Sequence, residues 1–286
     1  MAGTPMADEV LVPSPSLAVP RDSAPRVWQL ELGLIAALWQ RDLLHLVRER
    51  SRWLGIVVQP LLFWLILGGG MHGSFTLPSP SGAGVSYLQF LYPGIVLMIV
   101  LFVMLFSTMS VIEDRQSGFL QAVLVAPGSR ASMVLGKLLG VTTLALIQAG
   151  LFLAIAPLAG ISLASANWPL LITSLLLTSF GLGGVAVAMA WVSPSAQAYH
   201  AIMGVLLLPL WVLSGAMFPG GSGWVRAVMI ANPLSYAVDA MRLALGVPGA
   251  HNQPIPALGA LAGFALLALG LAFWATRRRT TARRRR

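Results

Sequence analysis

The chain has 286 residues, of which 57% are hydrophobic and only 9% charged. Soluble domains carry roughly 25% charged residues, so the composition points to one integral membrane domain with little left over for a soluble one. There is no cysteine, which excludes disulfides, thiolate metal sites and thiol catalysis. The net charge is +9, and the arginines crowd the regions before Trp53 and after Ala275, beside the apolar region rather than spread over a surface. Basic residues in those places serve topology and anionic lipid, so nucleic acid is not an expected partner and membrane lipid is.

The first 25 residues are rich in Pro, Ser and Ala and hold no apolar core long enough for a signal peptide, which predicts a disordered tail. From residue 27 to about 50 the pattern turns helical. Trp28, Leu32, Ile35, Trp39, Leu43 and Leu46 fall on one face, while Glu31, Arg41, Asp42, His45, Arg48, Glu49 and Arg52 gather opposite. Such a helix is expected to lie in the bilayer interface, its tryptophans at headgroup depth.

Six apolar runs follow, at about 53–71, 88–112, 133–157, 170–192, 201–218 and 255–276. Each is long enough to cross roughly 30 Å of hydrocarbon. The fold class expected is therefore an all-α integral membrane protein with six transmembrane helices over residues 26–276, closed by a basic tail at 277–286. Pro60 and Pro209 predict kinks that neighbouring helices can accommodate. Gly136 and Gly140, and again Gly259 and Gly263, have the spacing of close helix contacts.

Topology follows from the basic residues. With both ends inside, the inner segments hold six Arg before Trp53, then Arg115 and Arg130, then seven Arg after Ala275. The loops 72–87 and 159–169 hold none, and 219–254 holds only Arg226 and Arg242. The expectation is a multi-pass protein of a bacterial inner membrane with both termini cytoplasmic, Lys137 snorkelling inward from the third span. Segment 219–254 is too polar for a seventh span. Asn232 can cap a helix with Pro233 in its first position, and Asp239 and Arg242 are spaced to pair on it. Two short helices dipping into the outer face are expected there.

The residues argue against catalysis. Gly136-Lys137 is followed by Leu138 and lacks the upstream glycine of a phosphate-binding loop. Leu213 to Met217 reads LSGAM, a superficial likeness to an ATPase signature at the outer end of a span. Ser214 and His200 stand near opposite ends of one span, about 20 Å apart at 1.5 Å per residue, too far to act as a serine–histidine pair. His45, His72 and His251 are scattered and form no metal spacing. No acidic residue lies within the spans, which disfavours proton or sodium coupling, so energy is expected from elsewhere.

The inward connection after the second span has a different character. Glu113, Asp114 and Arg115 end the span, Gly118 breaks the run, and Phe119, Leu120, Val123 and Leu124 repeat at helical spacing before Pro127-Gly128 stops it. A short apolar-faced helix parallel to the membrane is what a soluble partner's groove can grip.

Three stretches, in order, carry a resemblance to a known family: YLQFLYPGIVLM from Tyr87, DRQSGFLQAVLVAP from Asp114, and NPLSYAVDAMR from Asn232. Together they resemble the permease subunits of type 2 ABC exporters, with the nearest likeness to the daunorubicin-exporter and nodulation-type branch. Gln121-Ala122 stand where many relatives carry a charged pair, and the arginine-rich tail is outside the family pattern. The resemblance implies a half-transporter that dimerises, most simply with an identical chain, and binds two copies of an ATPase subunit that holds ATP and magnesium. This chain would itself need no cofactor and hydrolyse nothing.

On that resemblance, Glu113 to Pro127 forms the coupling element and residues 27–50 the connecting helix. Asn232, Pro233, Tyr236, Asp239 and Arg242 belong to an external lid. The pathway would run between the second and fifth spans, past Met98, Phe102, Met104, Phe106, Trp211, Met217 and Phe218. These uncharged, flexible and aromatic side chains suit a drug-like or lipid-like cargo better than an ion. The alternatives are a polysaccharide or glycolipid export permease and a membrane scaffold that recruits a cytoplasmic partner without transporting.

Overall fold

The computed structural model describes residues 27–48, 50–71, 76–77, 84–119, 129–220 and 222–277. Over these it is nearly all helical. In chain order come α1 (Val27–Arg48), α2 (Arg50–Gly70), a two-stranded antiparallel pair β1 (Thr76–Leu77) and β2 (Val85–Ser86), α3 (Tyr87–Thr108), α4 (Ser110–Gln116) and α5 (Arg130–Leu153). Then follow a single turn of tighter helix (Ala156–Ala159), α6 (Trp168–Val192), α7 (Ala196–Trp211) running into a π-helical turn (Val212–Ala216), α8 (Trp224–Ala231), α9 (Pro233–Leu245) and α10 (Pro254–Arg277). The strand pair is absent from the sequence expectation; two residues a side are too few to show an alternating pattern.

Among the described residues, five helical runs are long and apolar enough to cross a membrane: Tyr87–Gln116, Arg130–Leu153, Trp168–Val192, Ala196–Ala216 and Pro254–Arg277. The first expected span coincides with α2, whose described apolar part, Val58–Gly70, is shorter. The second is longer than expected. Its helix continues past a deviation at Met109 to Gln116, so Glu113, Asp114 and Arg115 prolong α3 as α4 instead of ending it.

Helix starts are set by side chains that satisfy orphan N–H groups. Ser86, Ser129, Asn167, Ser195 and Asn232 each accept from a backbone N–H in the first turn of the helix they precede. Pro233 occupies the first position of α9, as expected, since a proline there forfeits no bond.

The centre of the bundle is α3, with most of its residues buried against α2, α5 and α6. Trp64 of α2 stands edge-on to Tyr92 and Phe152, whose rings stack 4.7 Å apart. The Tyr92 hydroxyl donates to the Phe152 carbonyl, and the Trp64 indole donates to the Leu88 carbonyl at 2.9 Å. Each aromatic polar atom thereby leaves the apolar interior satisfied.

The closest helix pair is α6 with α10. A Cβ on Gly184 would stand 2.7 Å from the Ala268 backbone, and one on Gly181 would stand 2.4 Å from the Phe264 ring. Small residues let the backbones approach, which supplies the packing that hydrophobicity cannot drive in lipid. The glycines doing this are on α6. The expected pair on the last span, Gly259 and Gly263, meets nothing within 4 Å. Gly136 and Gly140 of α5 do make a close contact, but with α1: their Cβ positions lie 3.0 Å from the Ile35 carbonyl and from Asp42.

Candidate functional site

At the end of the bundle where α4 and α5 meet, α1 lies across the helices with its apolar face outward. Trp28 and Leu32 are exposed, while Leu38 is buried against the bundle. Of the charged face, Glu31, Arg41 and Asp42 turn inward to the bundle. Arg41 forms a two-pronged contact with Asp114 of α4, one bond measuring 3.1 Å. Lys137 of α5 donates to Asp42 at 3.0 Å and to Asp114 at 3.2 Å. Two cations and two carboxylates from three helices thus close a neutral, largely buried cluster.

A fork of guanidinium to carboxylate fixes orientation as well as distance, which a lysine in the same place would not. The bond to Asp114 raises Arg41 above its ordinary range, so it stays charged. Burial pushes the Asp42 carboxyl up against the pull of Lys137. Lys137 does not snorkel to water as expected: it is 6% exposed, because two carboxylates within hydrogen-bond reach replace the solvent.

Three further charges at this end, Glu31, Arg115 and Arg130, act on helix termini. Glu31 accepts from the backbone N–H of Ser129 at 3.1 Å and from the hydroxyls of Ser129 and Ser132, bonds that hold its carboxyl below the usual range. It thereby sits at the N-terminus of α5, where the helix dipole favours an anion. Arg115 donates to the Trp191 carbonyl at 2.8 Å and to the Ser193 carbonyl, closing the C-terminus of α6. Arg130 donates to the Thr276 carbonyl at 2.8 Å and so closes α10. Arginines counted in the sequence as topology signals are also the C-terminal partners of neighbouring helices.

Past α4, Gly118 adopts φ +78°, the left-handed conformation that breaks the helix where the sequence predicts it. Phe119 then lies beneath the Arg41 guanidinium, 3.9 Å from its ring centre. It also lines a small apolar cavity with Leu38, Val134, Val187 and Trp191. Glu113 is exposed and Asp114 buried. Leu120, Val123, Leu124 and Pro127, the rest of the expected coupling element, lie outside the described residues.

Between α3 and α7 runs an apolar groove, where Met98 and Phe102 face Met203, Leu207 and Trp211. Of the seven expected pathway residues, Met98, Phe102 and Trp211 meet here. Trp211 is fastened by its indole to the Gly94 carbonyl at 2.8 Å. Phe106 continues the line from Phe102 toward His200. Met104 is 1% exposed and packs toward Gly183 of α6, away from the groove. Met217 lies at the far end, its carbonyl accepting from Tyr87, and Phe218 is exposed.

At that far end the two short helices expected over 219–254 are present as α8 and α9. Asn232 caps α9 through its side-chain oxygen and donates to the Leu210 carbonyl at 2.6 Å. The Tyr236 hydroxyl donates to Ile230 in α8. The expected Asp239–Arg242 pair does not form. Asp239 instead accepts from Asn252, and Arg242 donates to the Gly215 carbonyl at 2.8 Å and the Gly249 carbonyl at 3.2 Å. The fully buried Arg242 guanidinium lies 4.1 Å over the Phe90 ring. Burial pushes Arg242 down to about 10, so it remains charged at neutral pH. Gly215 and Gly249, with φ of +77° and +96°, turn their carbonyls into its reach.

Three clusters were not legible beforehand: the Arg41–Asp42–Asp114–Lys137 group, the Glu31 contact and the Arg242 carbonyl cage. A partial signal existed. One lysine in an otherwise uncharged span needs a buried counter-ion, and α1 and the end of α3 offered the only acids at that depth.

With this geometry in view, the comparisons are specific. The ABC-2 type transporter family matches residues 33–245, from within α1 to the end of α9. The ycf38 protein of Porphyra purpurea, named as a transport permease, is 32% identical over 229 residues, covering 76% of each chain. The YbhR protein of Escherichia coli, named as a multidrug ABC transporter permease, is 29% identical over 164 residues, 54% of this chain and 43% of its own. Nodulation protein J of Neorhizobium galegae is 25% identical over 268 residues, 88% of this chain and 97% of its own. The chain is a multi-pass membrane protein that belongs to the ABC-2 type transporter family.

Proposed function

We propose that this chain is the permease half of an ATP-driven exporter that moves an amphipathic or hydrophobic molecule, drug-like or lipid-like, out of the cytoplasm or the inner leaflet. The observation that carries the reading is the charge cluster at the α4 end. It ties the interfacial helix α1, the end of the α3–α4 span and the start of α5 into one body, with Phe119 seated against it. A push received by the segment that begins at Phe119 reaches three helices at once.

In this reading α2 is a sixth span, the α4 end is cytoplasmic, and both termini lie on that side of a bacterial inner membrane. ATP and magnesium are bound by a separate ATPase, two copies per transporter, docked on Phe119 to Pro127. A second, identical permease chain faces the α3–α7 groove, and the uncharged groove walls suit a hydrophobic cargo. The helices α8 and α9 close the external side. The YbhR relative's name supports a drug-like cargo.

The test is co-purification. The tagged chain, solubilised from its native membranes, brings down an ATPase in equal amount, and the double variant Phe119→Ala with Leu124→Ala loses it while still inserting. A permease that purifies with no ATPase attached overturns the reading.

A further inference from the structure

A cavity of about 220 Å³ lies between the π-helical turn after α7, the helices α8 and α9, and the turn into α10. It shares no lining residue with the α3–α7 groove. Asp239 is 3% exposed; its Oδ2 accepts both Asn252 donors, at 3.1 and 2.7 Å. Its Oδ1 has only the His251 ring nitrogen at 3.8 Å, beyond hydrogen-bond reach. Ser235, on the same wall and 5% exposed, has a hydroxyl with no partner at all. Such a group in a native structure calls for a missing partner. The hydroxyls of Tyr236 and Ser214 donate to the Ile230 and Trp211 carbonyls, which leaves their lone pairs open.

Charge selects among ligands. A cation would meet Asp239 but also Arg226 on the wall and Arg242 behind Asp239. An anion would meet the open oxygen of Asp239. A neutral group carrying several hydroxyls can donate to Asp239 and Tyr236, and both donate to and accept from Ser235. We propose that this cavity binds a neutral polyhydroxylated group, a sugar ring or polyol. It is smaller than the roughly 300–1,000 Å³ of pockets that enclose drug-sized molecules, so it takes one ring rather than a whole cargo. Trp224 and Ile230, exposed on α8, place its mouth at headgroup depth. That depth, and its place on the outer face, rest on the exporter reading; binding itself requires no ATPase.

The test is saturation-transfer NMR on the full chain in phosphatidylcholine nanodiscs. Methyl β-glucoside is the free probe, glucosyl diacylglycerol in the disc the lipid-borne one, and choline and methyl phosphate are controls. Saturable transfer from the glucoside assigns a free ring, and transfer from the glycolipid alone assigns a lipid headgroup. Neither control gives transfer. Ser235→Val narrows the cavity and takes away its unpaired hydroxyl without removing a hydrogen bond, and weakens binding at least tenfold at unchanged melting temperature. Should that variant fail to fold, Asp239→Asn, which keeps an acceptor for Asn252, gives the same loss. The proposal is overturned by no saturable transfer from either sugar, by choline or methyl phosphate binding instead, or by undiminished binding in the folded variants. A glucoside signal from a chain that captures no ATPase sinks the exporter reading alone. ATPase capture with no sugar signal sinks this site alone.

Discussion

Replacing Lys137 with methionine removes one cation from the α4-end cluster at nearly constant volume. Lys137 contacts Asp42 at 3.0 Å and Asp114 at 3.2 Å. At an effective dielectric of about 20, each contact is worth roughly 5 kcal/mol of Coulomb attraction before desolvation is subtracted. The two acids then diverge. Asp114 keeps the Arg41 fork, whereas Asp42, its side chain 10% exposed, loses its one hydrogen-bond partner among the described residues. Stranding a buried charge costs about 3–5 kcal/mol. Adding Asp42→Asn removes the stranded charge, so the double variant recovers most of the loss. The assay is thermal unfolding in nanodiscs, where a loss of this size lowers the midpoint by at least about 6 °C. A single variant that melts like the parent, or a double variant no more stable than the single, refutes the reasoning.

Three further outcomes are expected. Gly184→Ala places a methyl 2.7 Å from the Ala268 backbone and destabilises by about 1–3 kcal/mol in thermal unfolding. Gly263→Ala, with nothing within 4 Å, is neutral or stabilising by up to about 1 kcal/mol in the same assay. Glu31 titrates below its ordinary 4.5 when folded, so its hold on α5 is complete above that pH and is lost as pH falls through the depressed value. Protection of α1 amides, corrected for the intrinsic exchange rate, therefore falls as pH drops below about 4.5 in the parent and shows no such step in Glu31→Gln. Arg242→Lys cannot span both the Gly215 and Gly249 carbonyls, and each lost charged hydrogen bond is worth about 1.5–3 kcal/mol. Proteolysis between α8 and α10 accelerates in that variant, and an unchanged digestion rate would show the cage to be dispensable.

Much of this architecture is visible in the chain because lipid imposes simple rules. Apolar length finds five of the six expected spans among the described residues, and Asn232-Pro233 and Gly118 announce a start and a break by backbone chemistry alone. What stays hidden is pairing across distance. Asp239 and Arg242 have the right spacing for each other, yet carbonyls freed by Gly215 and Gly249 compete for the arginine and Asn252 takes the acid. Lys137 reads as a snorkelling residue until Asp42 and Asp114, 95 and 23 positions away, arrive beside it. Glycine spacing misleads for a similar reason. The motif on α10 faces open space, while Gly181 and Gly184 receive that helix. Of the groove residues, Met98, Phe102 and Trp211 sit where facing spans predict, and Met104 turns to the opposite side of α3.

The central claim is that ATP turnover below the membrane is passed to the spans through the cluster of Arg41, Asp42, Asp114 and Lys137. The most direct measurement uses proteoliposomes holding the permease with its co-purified ATPase. A fluorescent phospholipid analogue and ATP are supplied, and analogue movement is compared between the parent and Arg41→Met with Asp114→Asn. The account predicts ATP-dependent movement in the parent and, in the variant, continued hydrolysis with movement reduced at least tenfold. Equal movement per ATP in the two would contradict it.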